Sequence, residues 1–161
     1  MPTPKRLLTI DTSTRGSGWA VWIDGALSVC GRGTPPEYAY QDDFCLVPFN
    51  EVVIEVPRHY PASKAKPQVN DLIALAVEAG RLQGTYESIE EARVAVRLIT
   101  APEWKGQCPK AVTEARARRE LWTKEVMTAT SCIEEDCKRD KRKASDVWDA
   151  IGIGLFILGR G

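Results

Sequence analysis

Short apolar runs divided by turn residues fill the first part of the chain, and apolar positions at helical spacing take over later. Leu7 to Thr12 reads as a strand with Asp11 near its end, and Gly16 to Trp22 as a second strand behind a Thr-Ser-Thr-Arg-Gly turn. Ile23-Asp24-Gly25 predicts a tight turn into a third strand, Ala26 to Arg32, completing an antiparallel meander. Residues 33–50 hold Pro35, Pro36, Pro48 and several acids, which predicts a loop with a little helix around Asp42 to Leu46. Val52 to Val56 is β-branched and stops at Pro57, the mark of a buried strand. His59 to Pro67, with Pro61, Lys64 and Lys66, reads as a basic loop.

The period changes at Gln68. Val69, Leu72, Ile73, Ala76 and Val77 predict an amphipathic helix over 68–86. Val94 to Thr100 alternates like a strand and is ended by Pro102. A basic helix over 112–125, a polar irregular segment over 131–144 and a last helix from Ser145 to Leu158 complete the reading. Ser145 is a candidate N-cap, which would put Asp146 in the first turn, where the macrodipole favours a carboxylate. This order predicts an α/β fold: a mixed five-stranded sheet, antiparallel meander on one side and parallel strands on the other, flanked by helices.

At 161 residues the chain fits one domain. Its 22 Lys and Arg balance 22 Asp and Glu, so any nucleic-acid surface must come from the distribution of charge rather than its sum. That distribution is uneven. Glu37, Asp42, Asp43 and Glu51 form an acidic stretch, whereas Lys138, Arg139, Lys141, Arg142 and Lys143 crowd around Asp140. No run approaches the ~20 apolar residues of a membrane span. The opening MPTPKRLLTIDTS lacks the apolar core of an export signal, so the five cysteines are expected as reduced thiols in a cytoplasm. Their spacing contains no CxxC pair and His59 is the single histidine, which speaks against zinc.

The informative residues are acids in apolar surroundings. Glu55 interrupts Val52-Val53-Ile54, the most β-prone run, and Asp11 follows Leu7-Leu8-Thr9-Ile10. A carboxylate buried without compensation costs several kcal/mol or takes up a proton. Asp146 and Asp149, spaced i, i+3, share one face of a helix that is almost wholly apolar beyond them. Four carboxylates from two strands and one helix describe an all-oxygen site suited to Mg2+, with Mn2+ as a substitute. Two such ions about 3.5–4 Å apart could activate a water and stabilise the leaving oxygen in phosphodiester cleavage.

LLTIDTSTRGSGWAVW at 7–22, VVIEVPRHY at 52–60, DLIALAVEAGRLQG at 71–84, PEWKGQCPK at 102–110 and SDVWDAIGIGLFILGR at 145–160 together resemble the RuvC-type Holliday junction resolvases of the RNase H-like superfamily, in a short bacteriophage-type version. The resemblance implies an RNase H-like fold, a catalytic and metal-binding set of Asp11, Glu55, Asp146 and Asp149, and two Mg2+ ions. It also implies a homodimer on branched DNA, cutting twice about a two-fold axis to leave 5′-phosphate and 3′-hydroxyl ends. The helix over 68–86 is the candidate dimer interface.

Two departures are visible. The cellular branch reads Asp-Pro-Gly where this chain has Asp11-Thr12-Ser13, and it carries an aromatic three residues after the Glu, where this chain has Arg58, with Tyr60 two further on. The expected DNA contacts are Arg58, Tyr60, Lys64, Lys66, Lys105, Lys110, Lys141 and Lys143, with phosphate contacts positioning the strand. Two rival resemblances share the Asp-Thr-Ser-Thr opening or the acidic site: a non-catalytic actin-like scaffold of the TsaB type and a YqgF-like RNA-processing nuclease.

Overall fold

The computed structural model describes residues 5–42, 45–58, 68–89 and 93–161. Seven strands, β1 (Arg6–Asp11), β2 (Ser17–Ile23), β3 (Ala26–Gly33), β4 (Tyr38–Asp42), β5 (Cys45–Pro48), β6 (Glu51–Val56) and β7 (Ala95–Thr100), are joined by five helices. The helices are α1 (Val69–Glu87), α2 (Ala101–Lys105), α3 (Lys110–Glu120), α4 (Thr123–Cys137) and α5 (Lys141–Ile157).

Five strands form one sheet in the order β3-β2-β1-β6-β7. β1, β2 and β3 pair antiparallel, while β1–β6 and β6–β7 are parallel. This is the mixed five-stranded arrangement expected from the sequence, antiparallel on one side and parallel on the other. The meander closes as predicted: Asp24 (φ 51°) and Gly25 (φ 81°) both lie in the left-handed region, as a two-residue turn between right-twisted strands demands.

The sheet is buried on both faces, and the strand alternation sorts its side chains. Leu8, Ile10, Val52 and Ile54 pack with Ala79, Leu82 and Tyr86 of α1. Leu7, Ala20, Trp22 and Val53 point the other way, toward Val147, Ala150, Ile151 and Ile153 of α5, with α4 beyond over β3. Asp11 and Glu55 continue the second set, two residues past Thr9 and Val53, so both carboxylates face α5.

Four segments differ from expectation. Residues 38–48 form a β4–β5 hairpin rather than a loop with helix. Pro36 and Pro48 flank the hairpin instead of interrupting it, and Ala39 and Phe49 anchor it in the α1-side core. The segment expected to be irregular from 131 is the second half of α4, because Val126, Ala129, Ile133 and Cys137 make an apolar stripe at helical spacing. The helix expected over 112–125 is broken at Leu121 and Trp122, so α3 ends at Glu120 and α4 starts afresh. The last helix begins earlier than predicted. Asp140, not Ser145, is its N-cap, accepting from the Arg142 and Lys143 amides at 3.0 and 3.3 Å. Asp146 therefore lies in the second turn, where the helix end supplies little field.

No helix among the described residues is long and apolar enough to cross a membrane.

Candidate functional site

The site begins with strand register. Asp11 and Glu55 are direct partners across the parallel β1–β6 ladder, and neighbouring strands lie only about 4.8 Å apart. Two carboxylates at that spacing repel each other, and burial adds to the penalty. The Asp11 carboxyl is held well above the usual carboxylate range, first by burial and then by Glu55, Asp149 and Asp146. Burial also raises Glu55, against the pull of Lys105 and of a hydrogen bond from Trp104.

α5 supplies the other two acids because the backbone lets it approach. A Cβ on Gly18 would overlap the Asp146 carbonyl, and one on Gly154 would overlap the Trp22 indole. Between these close approaches, the buried Thr9 hydroxyl donates to the Ala150 carbonyl at 2.7 Å and accepts from Trp22 Nε1 at 3.2 Å. This bridge ties α5 to β1 one residue beyond Asp149. Asp149 is 3% exposed and Asp146 half-buried, and burial raises the Asp146 carboxyl above its ordinary value.

Three of the four acids have protein partners. Trp104 Nε1 donates to Glu55 Oε2 at 2.5 Å. Asp149 Oδ2 lies 3.1 Å from Lys105 Nζ and 3.7 Å from Lys110 Nζ. Arg32 Nε donates to Asp146 Oδ2 at 3.3 Å. The Asp11 carboxylate has no hydrogen bond or ion pair of its own among the described residues. Burial works to lower the Lys105 pKa, but Asp149, Glu55 and Asp11 outweigh it and the ammonium is held charged. Trp104 and Lys105 arrive together on α2, whose start is tied by Glu103 accepting from the Thr100 amide and hydroxyl, each at 2.6 Å.

As the side chains stand, no three Asp, Glu, His or Cys among the described residues are arranged to hold a metal ion. Positive charge in the cluster comes instead from Lys105, Lys110 and Arg32. The donor chemistry nonetheless fits a hard divalent cation: hard oxygens only, crowded and partly desolvated, with every resolved carboxyl shift upward.

A concavity of about 800 Å³ adjoins Asp146 and is lined by Arg15, Arg32, Lys110, Lys141, Arg142 and Lys143, with Asp140 among them. Lys141 and Lys143 thus lie next to the cluster, and Lys110 borders it while remaining 63% exposed. Lys105 is different. Its side chain is 14% exposed and committed to Asp149. Arg58 is exposed two residues past β6. Tyr60, Lys64 and Lys66 lie outside the described residues.

Sequence reasoning missed Arg32 and Arg15. Arg32 reaches Asp146 only because β3 folds back beside β2, and its Nη1 also donates to the Arg15 carbonyl at 3.1 Å. Nothing in the local pattern around either residue carries that signal. The partner of Glu55 was also unforeseen: Arg58 and Arg97 are nearer in sequence, yet Trp104 holds the carboxylate.

No family model matches the chain, and no curated protein matches it. Among solved structures, T. thermophilus RuvC in complex with Holliday junction substrate is similar at 16% identity and a TM-score of 0.43, over 94% of this chain and 91% of that one. At that level the likeness is loose, and the functional reading rests on the side chains of the site.

Proposed function

We propose that the protein is a metal-dependent endonuclease acting on branched DNA, with four-way junctions as the preferred substrate. The observation that carries this reading is the convergence of Asp11 and Glu55, paired at adjacent strand ends, with Asp146 and Asp149 of α5 beside a basic concavity. In this reading Asp11, Glu55, Asp146 and Asp149 hold two Mg2+ ions, or Mn2+ in their place. When bound, the ions supply the positive charge that stabilises the attacking and leaving oxygens of phosphodiester hydrolysis. Trp104 fixes one Glu55 oxygen and leaves the other free. Arg15, Lys110, Lys141 and Lys143 orient the backbone by contacts to phosphates, a form of recognition that reads strand path rather than base sequence. Lys105 neutralises Asp149 until substrate and ions are in place.

Resolving a four-way junction requires two cuts related by a two-fold axis, so a homodimer is part of the proposal. α1 is its candidate interface. Ala79, Leu82 and Tyr86 are buried against the sheet, whereas Val69, Ile73 and Val77 form an outward stripe at i, i+4, i+8, each more than half exposed. Ile73→Asp is expected to convert a dimer to a monomer in sedimentation without unfolding the chain. The RuvC-like, phage-type and cytoplasmic assignments belong to the same proposal.

The deciding experiment compares Mg2+-dependent cleavage of a synthetic four-way junction with that of a fork, a flap and a linear duplex. Rapid junction cleavage that Asp11→Asn or Asp149→Asn abolishes, with binding retained, supports the reading. An unaltered junction bound no better than duplex would overturn it.

A further inference from the structure

Trp104 belongs to two places at once. Its indole N–H is committed to Glu55, while its ring lines a separate cleft of about 370 Å³ between α2, α3 and α5. The ring lies directly on the α5 backbone at Gly152, where a Cβ would collide with it. Leu155 and Phe156 continue that apolar wall, and Phe156 is 37% exposed, so its ring is available to a ligand. Arg116, Arg119 and Glu120 of α3 line the same cleft, and Arg119 Nε pairs with Glu120 Oε1 at 3.1 Å. The cleft thus combines flat apolar walls with two guanidiniums and a carboxylate. Those groups match a planar heterocycle whose edge carries both acceptors and donors. A bare phosphate would engage the guanidiniums and leave the apolar wall unused, whereas a base engages both.

The position of the cleft specifies the source of such a heterocycle. Asp149, Gly152 and Phe156 follow one another at i, i+3, i+7 on one face of α5. Along the helix axis, the apolar wall therefore begins about 4.5 Å from Asp149 and ends about 10.5 Å from it. A nucleotide beside a phosphate held at the acids brings its base within reach of the wall once the base leaves the stack. We propose that this cleft receives one unstacked nucleobase from the DNA strand lying across the acidic site, stacked on Phe156 with the Trp104 ring as the adjoining wall. The inference rests on the reading of that site as DNA-cleaving, and it adds a subsite at which one base next to the cut is sensed. Aromatic stacking on a single base changes affinity by roughly tenfold or more.

The test uses the full chain with iododeoxyuridine placed singly at successive positions around the crossover of a synthetic junction, in Ca2+, and a second probe with the same base in a short single strand. Irradiation joins the base to an aromatic side chain in contact with it, and peptide mapping locates the adduct. The expected result is an adduct at Phe156 or Trp104 from one strand position only. Phe156→Leu should lower it roughly tenfold, and Phe156→Tyr should restore it. Junction cleavage with adducts mapping elsewhere, or a yield unchanged in Phe156→Leu, overturns the subsite and leaves the nuclease reading standing. An adduct at Phe156 from the single strand, with no junction binding, upholds the subsite and removes the junction preference. No adduct at the cleft from either probe overturns the inference.

Discussion

Trp104 Nε1 meets Glu55 Oε2 at 2.5 Å, joining the end of β6 to a five-residue helix that begins directly after β7. A hydrogen bond to a charged acceptor contributes about 1.5–3 kcal/mol, and here it also fixes which way the carboxylate points. Trp104→Phe keeps the ring's packing on Gly152 and removes the donor. Junction cleavage is expected to fall roughly tenfold or more, and the melting temperature to drop by about 3–12 °C if the full hydrogen-bond contribution is lost. Because the bond lowers the Glu55 pKa, the acid limb of the rate profile should move to higher pH. A rate loss with no displacement of that limb would assign Trp104 a packing role only.

Asp11 weighs against the fold it serves. Its carboxyl is raised by burial and by three neighbouring acids. Such a group is protonated in both folded and unfolded chains below its unfolded pKa, and its cost to stability grows as pH rises from that value to the raised folded one. Asp11→Asn should therefore stabilise the metal-free protein at neutral pH while abolishing cleavage. A gain of about 1 kcal/mol would raise the melting temperature by about 2–4 °C. Melts in chelator should show the gain shrinking as pH falls from the raised folded value toward the ordinary aspartate value of about 3.9, below which it is gone. Adding Mg2+ should stabilise the wild type more than the variant.

Gly18 sets the distance between β2 and α5. Gly18→Ala forces a methyl group into the Asp146 peptide, where neither backbone can yield without displacing the helix. The expected cost is about 1–3 kcal/mol, with cleavage reduced further than the unfolded fraction explains. Gly84→Ala is the contrast. No atom comes within 4 Å of its added Cβ, so it should stabilise α1 by about 0.5–1 kcal/mol. Urea titrations of the two variants, with cleavage measured per folded molecule, check both signs.

Glu125 is a buried acid outside the acidic cluster, held by its own partners. It is 3% exposed and accepts from the Leu27 amide at 2.7 Å, the Trp122 amide at 2.8 Å and both terminal nitrogens of Arg160, at 2.9 and 2.7 Å. Burial opposes its charge, but these donors prevail and hold its pKa below the usual carboxylate range. Its contribution is present above the unfolded pKa and is lost as pH falls through the folded one. Glu125→Ala should cost about 3–5 kcal/mol at neutral pH, and the gap between variant and wild type should narrow on acidification. Cleavage per folded molecule should hold, since Glu125 belongs to the β3–α4 junction rather than the acidic cluster.

Much of the sheet was legible because strands carry their own evidence. β1, β2, β3 and β6 are β-rich runs bounded by turns or proline, and a run of that kind buried on both faces has few alternatives. The β4–β5 hairpin was hidden by its acids, its prolines and the small Ala39, whose burial no hydropathy pattern announces. α4 was hidden because half of its stripe, Ala129 and Cys137, is small and reads as neutral, leaving only Val126 and Ile133 to mark the helical period. The four acids stood out because each carries charge where its neighbours demand burial, a conflict visible one residue at a time.

The sequence by itself determined which residues carry the charge conflict, the alternation that turns Asp11 and Glu55 to the same side, and the apolar helix that must cover them. Only the tertiary structure decided that Arg32, Lys105 and Trp104 would be the partners of those acids. Backbone propensity and burial act over a few neighbouring residues. A contact such as Arg32–Asp146 spans more than a hundred positions and depends on strand order, helix crossing and the missing side chain at Gly18.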